Sequence, residues 1–321
     1  MTRRSAVPPP VTAVLDASSR WLPTRMGEVE DGLRAQIADH GELLGADAAA
    51  TLAAGGKRLR PMLVLLCAGE EGGEQAVRAA TAIELVHMAT LVHDDVLDEA
   101  PLRRGVPTVA ATSGRARAIS TGDLLLSRAF ALLAGAGDSR AVRLLAEAAV
   151  ALARGELAQR HDAFDVTISE QRYLERCRLK TATLFECACL LGRDDDHLRR
   201  FGSEVGLAFQ LLDDVLDVSG PPERTGKARG TDLLDGTVTL PLIEAIALNS
   251  GIRDVDLQAL DPDSAAALCD RIAATGALDA VRARALEMVA AGKDALKDAP
   301  FPPEQRDLLA LVADGVVQRY S

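Results

Sequence analysis

Apolar residues recur along the chain at intervals of three and four, the spacing that places them on one face of an α-helix. The repeat begins at about residue 11 and resumes after each break. Runs of alternating Val, Ile, Thr and Tyr, which are typical of β-strands, do not occur. The pattern predicts helices over Glu74–Asp98 and over residues 116–135, 138–162, 168–192, 196–218, 264–275, 277–298 and 303–318.

Glycine and proline residues mark the breaks between these helices. Gly55 and Gly56 form a turn signal shortly before Pro61, and Pro221 with Pro222 ends the helix that precedes them. None of the breaks has the composition of a linker between domains. We therefore expect an all-α, single-domain helical bundle over residues 11–321, preceded by a disordered tail over residues 1–10.

Composition narrows the function classes. Hydrophobic residues make up 48% of the chain and aromatic residues only 3%, which indicates a core of small aliphatic side chains. The net charge of −11 disfavours a nucleic-acid partner. The five cysteines lie in apolar stretches without zinc-site spacing. We predict a cytoplasmic protein with no transmembrane segment, because no apolar run approaches the roughly 18 residues of a membrane span.

Two groups of three acids stand out within apolar helical stretches. In a helix, three carboxylates so spaced converge on one small volume, where they repel each other unless a cation lies between them. A solvated helix face is the alternative for one such group, but a second copy favours metal binding. Oxygen-only ligands favour Mg²⁺, Mn²⁺ or Ca²⁺ over Zn²⁺, and Mg²⁺, the ion we expect, is usually bound together with substrate phosphates. The groups are Asp94, Asp95 and Asp98, and Asp213, Asp214 and Asp217.

Basic residues follow the same logic. Lys57, Arg58 and Arg60 come directly after Gly55 and Gly56, so backbone N–H groups and positive charges are available to one anion. A capped helix start with solvated basic residues is the alternative. The pair Arg103 and Arg104 follows the first acid group, where two like charges favour an anionic ligand.

At this point the chain resembles a known family, the trans-isoprenyl diphosphate synthases or polyprenyl synthetases. The resemblance covers roughly residues 50–245 and implies an all-α isoprenoid synthase bundle around a deep central cavity. It also implies a homodimer that condenses isopentenyl diphosphate with an allylic diphosphate. It rests, in order, on GGKRLRP at 55–61, HDDVLDEAPLRRG at 93–105, GD at 122–123, KT at 180–181, FQLLDDVLD at 209–217 and TGKARGTDL at 225–233.

The resemblance implies a role for each matching residue. Three Mg²⁺ ions would be held by Asp94, Asp98 and Asp213, with Asp95, Asp214 and Asp217 in support. The cations on the allylic diphosphate would be Arg103, Lys180 and Lys227, and the oxygens facing the allylic cation would be those of Thr181 and Gln210. The isopentenyl diphosphate site would comprise Gly55, Lys57, Arg60, His87 and Arg104. Gly236-Thr237 stands where many family members have Gly-Lys, which removes one cation.

Some of these residues have a simpler interpretation. A lone histidine on an apolar face, as His87 is, often serves as a hydrogen-bonded core residue. Gln210 could satisfy its helix neighbours, and His93 is expected to be structural. Asp123 in the GD pair has the residue type of a helix cap.

Product length is the finer expectation. In the family, bulk just before the first acid group closes the bottom of the substrate pocket. Here Val86, Ala89 and Thr90 are all small. We therefore expect a linear all-trans product longer than C20, made from farnesyl or geranylgeranyl diphosphate, with a C20 or shorter product as the alternative.

Three other functions compete with this interpretation. A class I terpene cyclase shares the first acid motif but not the second one or the basic loop. A His-Asp phosphohydrolase could use His93-Asp94 and His161-Asp162, but five histidines make its ligand set hard to assemble. A non-catalytic partner subunit would have no chemical need for two intact acid groups.

Overall fold

The computed structural model describes residues 9–18, 21–38, 41–103, 105–220 and 229–318. The chain divides into two compact units. The first contains residues 1–149, 187–199 and 299–315, and the second contains residues 150–186, 200–298 and 316–321. The predicted tail over residues 1–10 lies largely outside the described residues, and the predicted domain extent of 11–321 stays a prediction.

Helices make up most of the described chain. The first half contains α1 (Pro9–Ala17), α2 (Trp21–Ile37), α3 (Gly41–Ala53), α4 (Leu59–Ala68), a 3₁₀ turn (Glu70–Gly72), α5 (Gly73–Leu97), α6 (Val109–Ser113) and α7 (Arg115–Gly135). Between α5 and α6 lies a short antiparallel hairpin of β1 (Leu102–Arg103) and β2 (Val106–Pro107), in which Leu102 pairs with Pro107.

The remaining elements are helical. They are α8 (Ser139–His161), α9 (Glu170–Cys177), a π-helical turn (Arg178–Ala182), α10 (Thr183–Gly192), α11 (Asp196–Ser219), α12 (Thr231–Leu234), α13 (Leu240–Leu248), 3₁₀ turns (Ser250–Ile252 and Leu257–Ala259), α14 (Pro262–Ala274), α15 (Ala277–Lys297) and α16 (Pro303–Gln318). Most of the predicted helices therefore exist within two residues of the expected ends.

In the first unit, α5 is the central helix. It packs against α2, α4 and α7, and side chains around most of its circumference are buried. A helix enclosed in this way has no single apolar stripe, because neighbours cover several of its faces. The helix ends at Leu97, and the C-cap residue Asp98 donates its backbone N–H to the Asp94 carbonyl at 2.8 Å. The first acid group therefore lies at the C-terminal end of α5, a helix that is held in place by the core of this unit.

In the second unit, small residues allow helices to approach closely. A Cβ at Gly206 on α11 would lie 2.7 Å from the Ala182 Cα atom. Beside this contact, the rings of Phe185 and Phe209 lie 5.4 Å apart between centroids in a tilted arrangement. α11 is therefore held against the π-helical turn and the start of α10.

Two features differ from the sequence-based expectation. The helix predicted over residues 168–192 is interrupted by the π-helical turn, where the Thr183 hydroxyl donates to the Arg178 carbonyl at 2.8 Å. Within the described residues, α7 is also the one helix long and apolar enough to cross a membrane, by length and composition alone. Because α7 packs extensively against α5, its composition fits a core helix equally well.

Candidate active site

The first acid group divides into one buried carboxylate and two that reach solvent. Asp95 is 5% exposed, and its Oδ1 atom accepts a hydrogen bond from Arg103 Nε at 2.6 Å. Burial raises the pKa of Asp95, the guanidinium of Arg103 opposes that rise, and the charge of Asp98 adds to it. Asp94 is half-buried and Asp98 exposed, one helical turn apart. The pair Asp94 and Asp98 therefore carries the accessible negative charge.

The β1–β2 hairpin positions Arg103. The chain leaves α5 through Glu99, which adopts a left-handed conformation with φ of 49°, and Gly105 at the hairpin turn has φ of 75°. Arg103, in the first strand of this hairpin, reaches back to Asp95, eight residues earlier. Arg104 lies outside the described residues.

The basic loop begins at Gly55, whose φ of 75° needs a glycine. Lys57 is half-buried. Arg58 has its side chain turned into the protein, where Nε donates to Glu30 at 2.6 Å and Nη1 donates to Glu84 at 2.7 Å. Arg58 is therefore an internal ion-pair residue, in contrast to the solvated basic residue of the alternative interpretation.

Arg60 and His87 complete the predicted isopentenyl diphosphate site within the first unit. Enclosure by protein lowers the pKa of Arg60 to about 10, and the nearby carboxylate of Glu84 opposes that shift. The guanidinium therefore remains charged at neutral pH. His87 is half-buried on α5, and its carbonyl accepts a hydrogen bond from the Thr90 hydroxyl at 2.8 Å.

Asp214 of the second acid group belongs to a hydrogen-bonded chain of four side chains, in which Tyr173, Asp214 and Thr181 are buried and Gln210 is half-buried. Asp214 is 2% exposed and accepts from the Tyr173 hydroxyl at 2.5 Å and from Gln210 Nε2 at 2.7 Å. The Gln210 carbonyl oxygen accepts in turn from the Thr181 hydroxyl at 2.6 Å. Burial raises the pKa of Asp214 well above its ordinary value, and the charge of Asp232 raises it further. Gln210 therefore forms hydrogen bonds both within α11 and to Thr181 of the π-helical turn.

The other two acids of this group differ from Asp214. Asp217 is 6% exposed, and its Oδ2 atom accepts from the backbone N–H of Asp232 at 3.2 Å, while its carbonyl accepts from that of Gly230 at 2.9 Å. Asp217 thus anchors the start of α12. Asp213 is half-buried and resembles Asp94 in exposure.

The π-helical turn carries Lys180 and Thr181. A Cβ at Gly155 on α8 would lie 2.6 Å from the backbone nitrogen of Lys180, so glycine is needed for the two segments to touch. The ammonium group of Lys180 forms an ion pair with Glu156, the next residue on α8. Lys227 lies outside the described residues.

The predicted chain-length residues all lie on α5. Val86 and Ala89 are buried, with 0% and 1% exposure, and Thr90 is half-buried. Because their side chains are small, they fill little of the space beside this part of α5. The sequence-based prediction that these positions set product length stays a prediction.

The metal prediction agrees with the donor chemistry. Among the described side chains, no three His, Cys, Asp or Glu groups converge closely enough to form a metal site by themselves. Mg²⁺ does not require such a cage, because it keeps several waters and takes one or two carboxylates plus substrate phosphates. Asp94 and Asp98 in the first unit, and separately Asp213 in the second, are hard oxygen donors that are half-buried or exposed, so the chemistry of each carboxylate fits this requirement.

Three residues near the predicted site were missed by sequence reasoning. Tyr173 and Glu156 gave no signal, because a lone tyrosine and a helical glutamate are common. Glu84 could have been identified from the sequence, since an acid inside the apolar run from Ala79 to Val86 requires a cationic partner when it is buried. The interpretation of Asp123 as a helix cap is wrong, because this residue lies inside α7. Its carboxylate is 3.3 Å from Nε2 of His93.

The all-α fold and two acid groups on helices define an isoprenoid synthase type of protein, and comparison with known proteins agrees. The family model described as polyprenyl synthetase matches residues 42–267. The chain is similar to heptaprenyl diphosphate synthase component 2 of Geobacillus stearothermophilus, with 41% identity over 243 residues, 73% of this chain and 76% of the relative. It is also similar to the all-trans-nonaprenyl-diphosphate synthase (geranyl-diphosphate specific) of Rhodobacter capsulatus, with 37% identity over 80% of this chain and 84% of the relative.

A solved structure extends the similarity to nearly the whole chain. It is the polyprenyl synthase of Caulobacter crescentus, complexed with calcium and isoprenyl diphosphate. The TM-score is 0.88, the identity 33%, and the match covers 96% of this chain and 98% of that one. The chain belongs to the polyprenyl synthetase family. Membership confirms the predicted fold and the trans-prenyltransferase class, and the relatives' names support a product longer than C20.

Proposed function

We propose that this chain condenses isopentenyl diphosphate with farnesyl or geranylgeranyl diphosphate and releases a linear all-trans polyprenyl diphosphate longer than C20. The observation that carries the proposal is that each acid group contains both a buried, hydrogen-bonded carboxylate and a more accessible one. Asp95 and Asp214 are buried and bound to protein donors, whereas Asp94, Asp98 and Asp213 keep access to solvent. Such an arrangement suits ligands for ions that bridge protein and diphosphate.

The first step is heterolysis of the allylic C–O bond, which leaves the electron pair on the departing diphosphate. Three Mg²⁺ ions, or Mn²⁺, would be held by Asp94, Asp98 and Asp213, and when bound they neutralise that growing charge. Asp95, Asp214 and Asp217 orient the segments that carry these ligands, because each of them accepts a hydrogen bond from a neighbouring segment.

Three basic residues are proposed for the allylic diphosphate: Arg103, Lys180 and Lys227. The Glu156 carboxylate now paired with Lys180 would exchange for a diphosphate oxygen when substrate binds. Thr181 and Gln210 are proposed to direct oxygen lone pairs at the allylic cation. The hydrogen bond from Thr181 to Gln210 supports this role, because it occupies the hydroxyl proton and leaves the threonine oxygen as an acceptor.

Isopentenyl diphosphate is proposed to bind the segment at the start of α4. Its diphosphate would contact the Gly55 backbone and the side chains of Lys57, Arg60, His87 and Arg104. The new C–C bond forms between the isopentenyl double bond and the allylic cation, and loss of a proton to the departed diphosphate restores the double bond. The charged state of Arg60 at neutral pH supports its assignment to an anion.

Product length is proposed to depend on Val86, Ala89 and Thr90. Since none of them carries a bulky ring, the growing chain would not be stopped at their level. Cytoplasmic location and homodimer formation stay predictions. One relative is named as component 2 of its synthase, so a catalytic subunit that needs a second, different chain is the alternative assembly.

The test is to incubate the purified chain with Mg²⁺, labelled isopentenyl diphosphate and, separately, geranyl, farnesyl or geranylgeranyl diphosphate, and to size the dephosphorylated products. A ladder of prenols beyond C20 is expected. Asp94→Ala and Asp213→Ala should lower the rate by about 10²–10³-fold or more, whereas Asp31→Asn, at an exposed site on α2, should leave it unchanged. Absence of condensation with every primer would instead favour a chain that requires a partner.

A further inference from the structure

Arg58 lies between two residues of the proposed isopentenyl diphosphate site, yet its side chain points away from solvent. The side chain is 9% exposed, and its two carboxylate partners come from different helices. Glu30 on α2 is 31% exposed, and Glu84 on α5 is 3% exposed. A guanidinium that is committed to two carboxylates in this way is poorly placed to receive a third anion.

The backbone at Arg58 carries the second observation. This residue is the N-cap of α4 and has φ of 51° and ψ of 35°, a left-handed conformation that a residue with a Cβ rarely adopts. Gly55, three residues earlier, has φ of 75°. The chain therefore uses glycine where only the backbone path matters. At position 58 it retains a side chain in a conformation that favours glycine, which indicates that the side chain itself has a function.

Glu84 connects this pair to the remaining residues of the site. It lies three residues before His87 on α5, and its carboxylate also interacts electrostatically with Arg60. Because Arg58 donates a hydrogen bond to Glu84 at 2.7 Å, this carboxylate already has a cationic partner other than Arg60. Loss of Arg58 would leave the buried Glu84 carboxylate without this hydrogen-bonded cation, within range of the Arg60 charge on which it already acts.

We propose that Arg58 is a positioning residue that fixes the segment from Gly55 to Arg60 through Glu84 and Glu30, and thereby sets the affinity for isopentenyl diphosphate. The inference rests on the proposed function, in which Lys57 and Arg60 bind this substrate. Arg58 does not contact the diphosphate. It holds the left-handed turn that presents Lys57 and keeps Glu84 from competing for Arg60.

The central experiment compares Arg58→Gln, Glu84→Gln and the double variant by steady-state kinetics and by calorimetric titration with isopentenyl diphosphate alone, where no turnover occurs. For Arg58→Gln we expect KM and Kd for isopentenyl diphosphate to rise about tenfold or more. We expect kcat and KM for the allylic diphosphate to change much less. The double variant should lose no more than Arg58→Gln, because both changes break the same anchor.

Glu84→Gln separates positioning from direct contact. If Arg58 bound the substrate, removal of a competing carboxylate would leave KM for isopentenyl diphosphate unchanged or lower it. Positioning requires that KM rises, despite the loss of one negative charge near Arg60. An unchanged or lower KM in this variant, or an unchanged KM in Arg58→Gln, would overturn the proposal.

Three further variants keep the outcome interpretable. If Arg58→Gln is poorly folded by circular dichroism, Arg58→Lys decides, because lysine keeps the charge but cannot reproduce the planar fork that reaches both carboxylates, so an intermediate KM is expected. Arg34→Gln breaks an exposed ion pair on α2 and should match the wild type. Lys57→Ala tests the underlying site: normal binding of isopentenyl diphosphate there would refute the proposed site, whereas lost binding beside a normal Arg58→Gln would refute only the positioning role.

Discussion

The Tyr173 hydroxyl donates a hydrogen bond of 2.5 Å to Asp214, although the two residues are 41 positions apart and both are almost completely buried. Gln210 donates to the other carboxylate oxygen. Burial of this carboxyl raises its pKa well above the ordinary 3.8, with a further contribution from the charge of Asp232. The second acid group is thus built around a carboxylate that costs stability when it ionises.

We predict that Asp214→Asn raises the stability of the metal-free protein at neutral pH and lowers its activity. A carboxyl with a raised pKa binds more protons in the folded state than in the unfolded state above about pH 4. The contribution of this carboxyl to the free energy of unfolding therefore falls as pH rises from the unfolded-state pKa through the folded-state pKa, and stays reduced above it. In thermal unfolding in EDTA, the stability of the variant relative to the wild type should therefore increase between pH 4 and pH 8.

The same variant should turn over about 10²-fold more slowly, because an amide has one acceptor oxygen and cannot accept from both Tyr173 and Gln210, which now bond to the two carboxyl oxygens. Asp270→Asn is a matched control, since Asp270 lies on α14 and is 73% exposed. Equal stability profiles for wild type and Asp214→Asn would contradict the assignment of a raised pKa to this carboxyl.

Gly155→Ala should displace the π-helical turn. The new methyl group would lie 2.6 Å from the backbone nitrogen of Lys180, and a backbone atom cannot move aside as the end of a flexible side chain can. We expect a loss of about 1–3 kcal/mol in the free energy of unfolding and a fall in kcat of about 10–100-fold. Gly135→Ala, at a helix position with no atom within 4 Å of the new methyl, is the control and should be neutral or slightly stabilising. Retention of full activity in Gly155→Ala would show that the close approach is dispensable.

Gly122→Ala should disturb the residue next to the first acid group. Its methyl would lie 2.3 Å from Nε2 of His93, which is 3.3 Å from Asp123 and 3.4 Å from the Ile119 carbonyl. The ring can rotate away, so we expect only about 1 kcal/mol of lost stability.

The clearer effect should be a higher Mg²⁺ concentration for half-maximal rate, because Asp94 directly follows His93. Calorimetric titration with Mg²⁺ and inorganic diphosphate provides an independent readout. Unaltered Mg²⁺ dependence would place His93 outside the functional site.

Ala89→Phe should shorten the product. Ala89 is 1% exposed, so a phenyl ring at this position must fill space inside the protein beside α5. In the proposed function that space holds the growing prenyl chain. Chromatography of dephosphorylated products should show a ladder that ends earlier than the wild-type ladder. Ala89→Ser, which barely changes side-chain volume, should retain the wild-type ladder, and an unchanged ladder in Ala89→Phe would move the chain-length limit elsewhere.

The helical class and most helix limits could be read from the sequence, because they follow from local periodicity. α5, for example, begins at Gly73 and ends at Leu97, one residue before each predicted end. The acid groups and the basic loop were also visible, since like charges inside apolar helices need a cation or an anion to be stable. Family membership extends these motifs to a trans-prenyltransferase.

The interruption at Arg178–Ala182 and the hairpin at Leu102–Pro107 could not be read in the same way. The π-helical turn lies where Gly155 of α8 packs against the chain, and this contact joins residues far apart in sequence. No local pattern of the segment RLKTA encodes it. A short stretch of sequence shows only the helix propensities of its own residues. A π-helical turn inside a helix is stabilised by contacts with residues far away in the sequence.

The sequence alone determined which residue types are present for the chemistry, the helices that carry them and their order along the chain. Only the tertiary structure decided which partners the buried charged residues meet: Asp95 meets Arg103, Asp214 meets Tyr173, and Arg58 meets Glu84. Neighbouring charged residues are equivalent in a linear pattern. They become different when folding buries one of them, because a buried charge is stable only beside a partner that the three-dimensional packing supplies.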